Sequence, residues 1–204
     1  MENLVAHWNK AYQKEKETLG WYQAESSEIL KLIDDLELDR KLRVHISGAG
    51  RTTLVKSLIN RAFQHLVLSD ISDEALRLIQ IENQTSLLTL VQDNLGVPME
   101  LYKQEPFDLW IDRAVLHFLT AEQERLNYFQ LLKEKTNAGA YIILAQFSKE
   151  GALKCSGLDV CQYDLAMYQK YLGEGFKLVK SFDFLYTNPN GDPRPYIYAL
   201  FQKS

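Results

Sequence analysis

Residues 43–58 read RVHISGAGRTTLVKSL. A strand-like apolar run meets two closely spaced glycines and then a run of helical character. A strand, a glycine turn and a helix build two different sites, a phosphate loop or a Rossmann-type adenosine-cofactor turn. A phosphate loop, G-x-x-x-x-G-K-[ST], cradles phosphates with backbone N–H groups and the Lys. With Gly50 as its second glycine, the first glycine falls on His45 and the Lys on Arg51, so two defining residues are missing. The cofactor turn needs an acid at the tip of the next strand to take the ribose hydroxyls. Here Arg43–Ser47 is the strand, Gly48-Ala49-Gly50 is the turn, and Asp70 ends LVLSD 20 residues beyond Gly50. Asp70 also suits a plainer role as a cap of the helix that follows. The third glycine of a dinucleotide G-x-G-x-x-G falls on Thr53. That residue disfavours a pyrophosphate and leaves a phosphate-free adenosine cofactor as the better fit.

Outward from this segment, strands and helices alternate. Helical stretches are expected at 4–16 and 26–36, then a strand at 42–47, a helix at 52–62 and a strand at 66–70. Ser72 suits the cap of a helix holding Ala75 and Leu76. Strands follow at 87–92 and 107–111, then a helix capped by Thr120 and running to about Lys135. A strand at 141–147, a helix at 164–172 started by Asp164, and strands at 176–186 and 196–202 complete the chain. The last two join through NPNGDPRP (188–195), rich in turn formers. Alternation predicts an α/β, Rossmann-like, mostly parallel sheet with helices on both faces. The closing hairpin predicts one antiparallel strand. We read one domain over 1–204, with an N-terminal helical cap or lid at 1–38 and the core at 39–204.

The 204 residues are 46% apolar, enough to bury a full core, and the formal net charge is −4. That balance argues against a polyanion-binding surface, so no nucleic-acid partner is expected. The longest apolar runs, 141–145 and 196–201, fall far short of the ~20 residues that span a bilayer, and MENLVAHWNK has no apolar signal core. Cys155 and Cys161 lack the close pairing of a zinc knuckle, so we expect idle thiols, no metal, no membrane partner and a cytoplasmic monomer or weak dimer.

Longer segments carry a resemblance. HWNKAYQ (7–13) with WYQ (21–23), LVLSDIS (66–72), LVQDNL (90–95), FDLWIDRAVLHFLT (107–120) and KCSGLDVCQYD (154–164) resemble class I S-adenosylmethionine-dependent methyltransferases. The bacterial trans-aconitate- or protein-lysine-methyltransferase-like group is the nearest in pattern, and FDLWIDRAVLHFLT is the most specific segment. The resemblance implies a seven-stranded sheet whose seventh strand alone is antiparallel. It implies S-adenosyl-L-methionine as cofactor and S-adenosyl-L-homocysteine as product. Ser47, Gly48, Ala49 and Gly50 would pass under the methionine and ribose. Asp70 would accept from both ribose hydroxyls, Ile71 would pack on the adenine, and Asp93 with Asn94 would meet its amino group. Asp112 and Arg113 would line the methyl-transfer site, and His117 is a candidate base or a packed core histidine.

The family pattern places an acid two residues before the first glycine, where it serves the cofactor's ammonium. Here Ile46 stands there, with Ser47 next. A non-catalytic adenosine-cofactor-binding module is therefore the alternative reading. Trp8 and Tyr12, one helical turn apart, and Trp21-Tyr22 fit either core packing or a lid whose Trp21 and Tyr22 touch substrate. Methyl transfer is an in-line displacement in which positioning supplies most of the rate. Two acceptors suit the chain: a small molecule such as a carboxylate, held by Arg113, or a protein lysine, drawn to an acidic cleft of Asp108 and Asp112.

Overall fold

β1 (Arg43–Ser47) is buried on both faces, as a strand sandwiched between helix layers must be. Its Val44 and Ile46 face one core, while His45 meets Phe107 and Trp110 on the other. The computed structural model describes residues 2–204. β1 pairs in parallel with β2 (His65–Asp70) and β4 (Phe107–Arg113). β3 (Leu88–Gln92) extends the sheet beyond β2, and β5 (Thr136–Phe147) extends it beyond β4. The short β6 (Lys154–Cys155) and β7 (Leu158–Asp159) form a separate hairpin that the sequence pattern did not predict. β8 (Phe176–Thr187) and β9 (Pro193–Lys203) close the main sheet, whose order is β3-β2-β1-β4-β5-β9-β8 over seven strands. β9 is antiparallel to both its neighbours, so it alone reverses direction. The expected Rossmann-like sheet with one antiparallel strand is the observed one.

Helices cover both faces. α2 (Ser27–Asp34), α3 (Leu54–Asn60) and α4 (Asp73–Asn83) pack Ile29, Ile33, Leu58 and Ile79 on one side. α5 (Glu122–Glu134) and α6 (Leu165–Leu172) bury Tyr128, Leu132, Tyr168 and Leu172 on the other. α1 (Glu2–Tyr12) lies over the carboxyl end of the sheet, where Trp8 and Tyr12 pack with Leu19 and Ala75.

Local chemistry sets the boundaries. Ser72 Oγ accepts from Ala75 N at 3.0 Å and starts α4, and Asp164 accepts from Met167 N at 2.8 Å and starts α6. Thr120 does not cap α5. Ala121 is the cap residue, and its N–H donates to Glu124 Oε2, so the acid three residues on satisfies the helix end. The β8–β9 turn is built by Asn188, whose Oδ1 accepts from Asn190 N and Asp192 N, with Gly191 at φ 87°. Among the described residues no helix is long and apolar enough to cross a membrane. Cys155 and Cys161 are free thiols.

Candidate functional site

Parallel register brings the strand ends together along one edge. Ser47 pairs with Asp112, Asp70 with Gln92, and Arg113 with Ala145. Between the ends of β1 and β4 runs a cleft with two chambers. Gly48, Trp21 and Arg113 line both. One chamber lies between the glycine turn and the 16–26 segment and includes Ile46, Ser47, Thr52 and Tyr22. The other is bounded by Asp70, Ile71, Asp93, Asn94, Trp8 and Val115.

The turn itself is left-handed at Gly48 (φ 49°) and Gly50 (φ 52°), conformations glycine adopts without steric penalty. Its amides are used internally. Ala49 N donates to Ser69 O at 2.8 Å, and Gly50 N donates to Asp70 Oδ2 at 2.8 Å. Arg51, at the Lys position of a phosphate loop, is paired with Glu82 at 2.6 Å. None of these groups is free to cradle a phosphate.

Asp70 is 6% exposed. Its Oδ1 accepts from Ser72 N at 2.9 Å and its Oδ2 from Gly50 N. The two carboxylate oxygens thus meet backbone donors and, with two acceptor sites each, keep capacity to spare, which suits a pair of vicinal hydroxyls. Burial pushes this carboxyl up to about 6, against the opposing pull of the amides of Ser72, Gly50 and Ile71. Asp93 is engaged differently. It accepts from the amides of Asn94, Met99 and Leu101 at 2.8–3.1 Å, so it shapes its own loop as well as the chamber wall. Asn94 Oδ1 in turn accepts from Gly96 N.

Asp112 and His117 line neither chamber. The Asp112 carboxylate is fully buried. Its Oδ2 accepts from Tyr128 Oη at 2.8 Å, and its Oδ1 from Gln146 Nε2 at 2.6 Å and from the amides of Val115 and Leu116. Those bonds hold the turn after β4, in which Ala114 sits at φ 63°. Val115 from that turn abuts the glycine loop, where a Cβ on Gly48 would stand 2.3 Å from Val115 Cγ2. His117 is buried with both ring nitrogens unpartnered, and it stacks on Phe147 at 4.6 Å. Burial, and then the charge of Arg113, lower it to about 3, so it is neutral at ordinary pH. Asp108 lies at the opposite end of β4 and accepts from Arg43 N and Asn137 Nδ2, so Asp108 and Asp112 form no acidic cleft.

Arg113 alone of these three candidates, Asp112, Arg113 and His117, faces the cleft. Its Nη1 donates to the Trp21 carbonyl at 3.0 Å, and its guanidinium lies 5.1 Å from the Tyr186 ring and 5.3 Å from that of Tyr196. Trp21 packs edge-on against Trp8 and Tyr12, and the Tyr22 carbonyl accepts from Tyr186 Oη. The helical spacing of Trp8 and Tyr12 was the sequence signal for this cover. The contribution of Tyr186 and Tyr196, from the far hairpin, had no local signal.

No protein-family model matches the chain, and no curated protein does. Solved structures do match. A SAM-dependent methyltransferase from Anabaena variabilis ATCC 29413 superposes with a TM-score of 0.81 at 14% identity, over 100% of this chain and 94% of that one. The N-methyltransferase NodS from Bradyrhizobium japonicum WM9, solved with S-adenosyl-L-homocysteine, has a TM-score of 0.73 at 11% identity, over 98% of each chain. A TehB-like SAM-dependent methyltransferase from Corynebacterium glutamicum ATCC 13032 Kitasato gives 0.63 at 14% identity, over 100% of this chain and 97% of that one. What these proteins share with this chain is the fold.

Proposed function

We propose that the chain is a class I methyltransferase that binds S-adenosyl-L-methionine across the two chambers and methylates a small-molecule or protein acceptor. The observation that carries the reading is Asp70, buried at a strand tip, held by backbone amides and with acceptor capacity to spare. Its neighbours Ile71 and Asn94 line the same chamber, as an adenosine would require. The fold likeness and the resemblance of residues 107–120 to the trans-aconitate- or protein-lysine-methyltransferase-like group support it.

When bound, the cofactor supplies a methyl group on a sulfonium, already activated for displacement. The chain's contribution is placement and exclusion of water. Asp70 would hold the ribose, and Gly48 would let the backbone pass beneath the ligand. Asp112 acts as a positioning residue through Val115, which packs on Gly48. Trp8, Tyr12 and Trp21 would cover the ligand as a lid.

Isothermal titration calorimetry tests the reading. S-adenosyl-L-methionine and S-adenosyl-L-homocysteine are expected to bind, and ATP with magnesium or NAD are not. Binding of ATP or NAD alone would refute it. Cofactor binding with no methyl transfer to any acceptor pool would favour the non-catalytic module, for which Ile46 in the chamber wall is the specific structural argument.

A further inference from the structure

We infer that Gln23 stands in for the acid missing at position 46, its side-chain carbonyl receiving the ammonium of the cofactor in the chamber beside the glycine turn; this rests on the cofactor reading above. The partners of an adenosine, Asp70, Ile71, Asp93 and Asn94, all line the other chamber. Gly48 lines both. A ligand with its adenosine in one chamber therefore passes its amino-acid half over Gly48 into the other. No Asp or Glu lines that second space, so its ammonium must be met by a neutral oxygen. Gln23 lines it, and Gln23 Oε1 is buried with no hydrogen-bond partner among the described residues. An amide oxygen accepts on two lone pairs, and it bonds most strongly to a charged donor. Left unmet in the interior it is costly, so an arriving ammonium completes a half-made contact.

The other oxygens of the lining are already engaged. Thr53 Oγ1 donates to the Gln23 carbonyl at 3.1 Å, Thr52 Oγ1 accepts from Leu54 N at 3.3 Å, and Ser47 lies beside the Tyr128 hydroxyl. The nearby cations are engaged too: Lys16 and Arg51 are paired with Glu82 at 3.9 and 2.6 Å. The backbone that carries Gln23 is held at successive carbonyls by side chains of other elements. Arg113 of β4 donates to the Trp21 carbonyl at 3.0 Å, Tyr186 of β8 to that of Tyr22, and Thr53, at the start of α3, to that of Gln23. The amide is thus set in place before any ligand arrives, which spares binding the entropy of ordering it. The acid of the resembled family would sit on β1; here the corresponding acceptor comes from the N-terminal cover, on the opposite wall of the same chamber.

The test is a cycle of protein and ligand changes read by isothermal titration calorimetry. Wild type, Gln23→Leu and Gln23→Glu are each titrated with S-adenosyl-L-homocysteine, with 5′-(3-carboxypropylthio)-5′-deoxyadenosine, which lacks only the amino group, and with 5′-methylthioadenosine, which lacks the whole amino-acid half. We expect Gln23→Leu to weaken S-adenosyl-L-homocysteine about tenfold and to leave both analogues within about twofold. Gln23→Glu should tighten S-adenosyl-L-homocysteine and weaken the carboxypropyl analogue, whose carboxylate it would repel. An equal loss for S-adenosyl-L-homocysteine and the carboxypropyl analogue in Gln23→Leu overturns the inference, because Gln23 would then serve the carboxylate or the fold. Unchanged S-adenosyl-L-homocysteine binding in Gln23→Leu overturns it as well. One arm needs no variant: a wild type that binds the carboxypropyl analogue as tightly as S-adenosyl-L-homocysteine has no ammonium site. In each of these outcomes the adenosine ligands still bind and the cofactor reading stands. A wild type that binds none of the three refutes that reading and the inference with it.

Discussion

The hydroxyl of Tyr12 occupies the space into which a side chain on Gly50 would project: a Cβ there would stand 2.5 Å from the phenol oxygen. The N-terminal cap thus touches the backbone of the glycine turn directly. The same Gly50 donates its N–H to Asp70, and the Asp70 charge, after burial, adds to the upward shift of the Tyr12 phenol. Cap, turn and strand-tip carboxylate meet at one point.

Gly50→Ala should therefore lose stability twice over. The left-handed backbone costs a residue with a Cβ roughly 1–2 kcal/mol, and the phenol contact adds to it. Urea unfolding should show a loss of about 2–3 kcal/mol. In a Tyr12→Leu background the steric part should disappear and only the backbone part remain. An identical loss in both backgrounds would mean that Tyr12 does not bear on the turn.

Asp70 makes a pH-dependent prediction. Its folded value of about 6 lies above the ordinary 3.8. A raised folded value means the stability linked to this group is full below the unfolded value and is lost as pH rises through about 6. The swing is on the order of 3 kcal/mol. Unliganded wild type should lose stability relative to Asp70→Asn between about pH 4 and pH 7. Ribose hydroxyls need the ionised carboxylate, so S-adenosyl-L-homocysteine affinity should rise over the same interval in wild type and stay flat in Asp70→Asn. A flat wild-type profile would remove Asp70 from the ribose site.

The sheet was legible because its signals are local. A buried strand, a glycine turn and a capped helix recur along the chain, and NPNGDPRP marked the hairpin that reverses β9. The site was legible only in part. Strand tips follow from strand ends, so Asp70, Asp93 and Arg113 could be placed on one edge. The direction of a side chain at a strand end could not. Asp112 and Arg113 are adjacent, yet one turns into the core toward Tyr128 and the other into the cleft, as alternation in a strand requires. Only the partners decide which face is which. Tyr186 and Tyr196, more than seventy residues beyond Arg113, have no local mark at all.

Asp112 should behave as a positioning residue. Asp112→Ala strips the acceptor from Tyr128, Gln146 and two amides inside the core. A loss of about 3–5 kcal/mol is expected from calorimetric or denaturant unfolding. Ala114→Gly, two residues on, should instead gain about 0.5–1 kcal/mol by relieving the φ of 63°. If Asp112→Asn lowers methyl transfer while stability and cofactor affinity stay at wild-type values, Asp112 acts on the substrate and the positioning role fails.

Ile46 provides the last test, because it occupies the position where the resembled family carries an acid. The structure puts Ile46 in the wall of the same chamber as Arg113, at 4% exposure. An ammonium in that chamber would find no carboxylate among the lining residues. Ile46→Asp should supply one. A hydrogen bond to a charged group is worth roughly 1.5–3 kcal/mol, so S-adenosylmethionine and S-adenosyl-L-homocysteine should bind about tenfold tighter. The unliganded protein should lose stability, since the new carboxylate replaces an apolar side chain at a buried strand end. Part of that loss is offset if the carboxylate meets the charge of Arg113, which lines the same chamber. The control is 5′-methylthioadenosine, which keeps the adenosine and lacks the amino-acid half. It should gain nothing from the substitution. Equal gains for fragment and full cofactor would show that position 46 does not face the methionine end, and the two chambers would then have to be assigned the other way round.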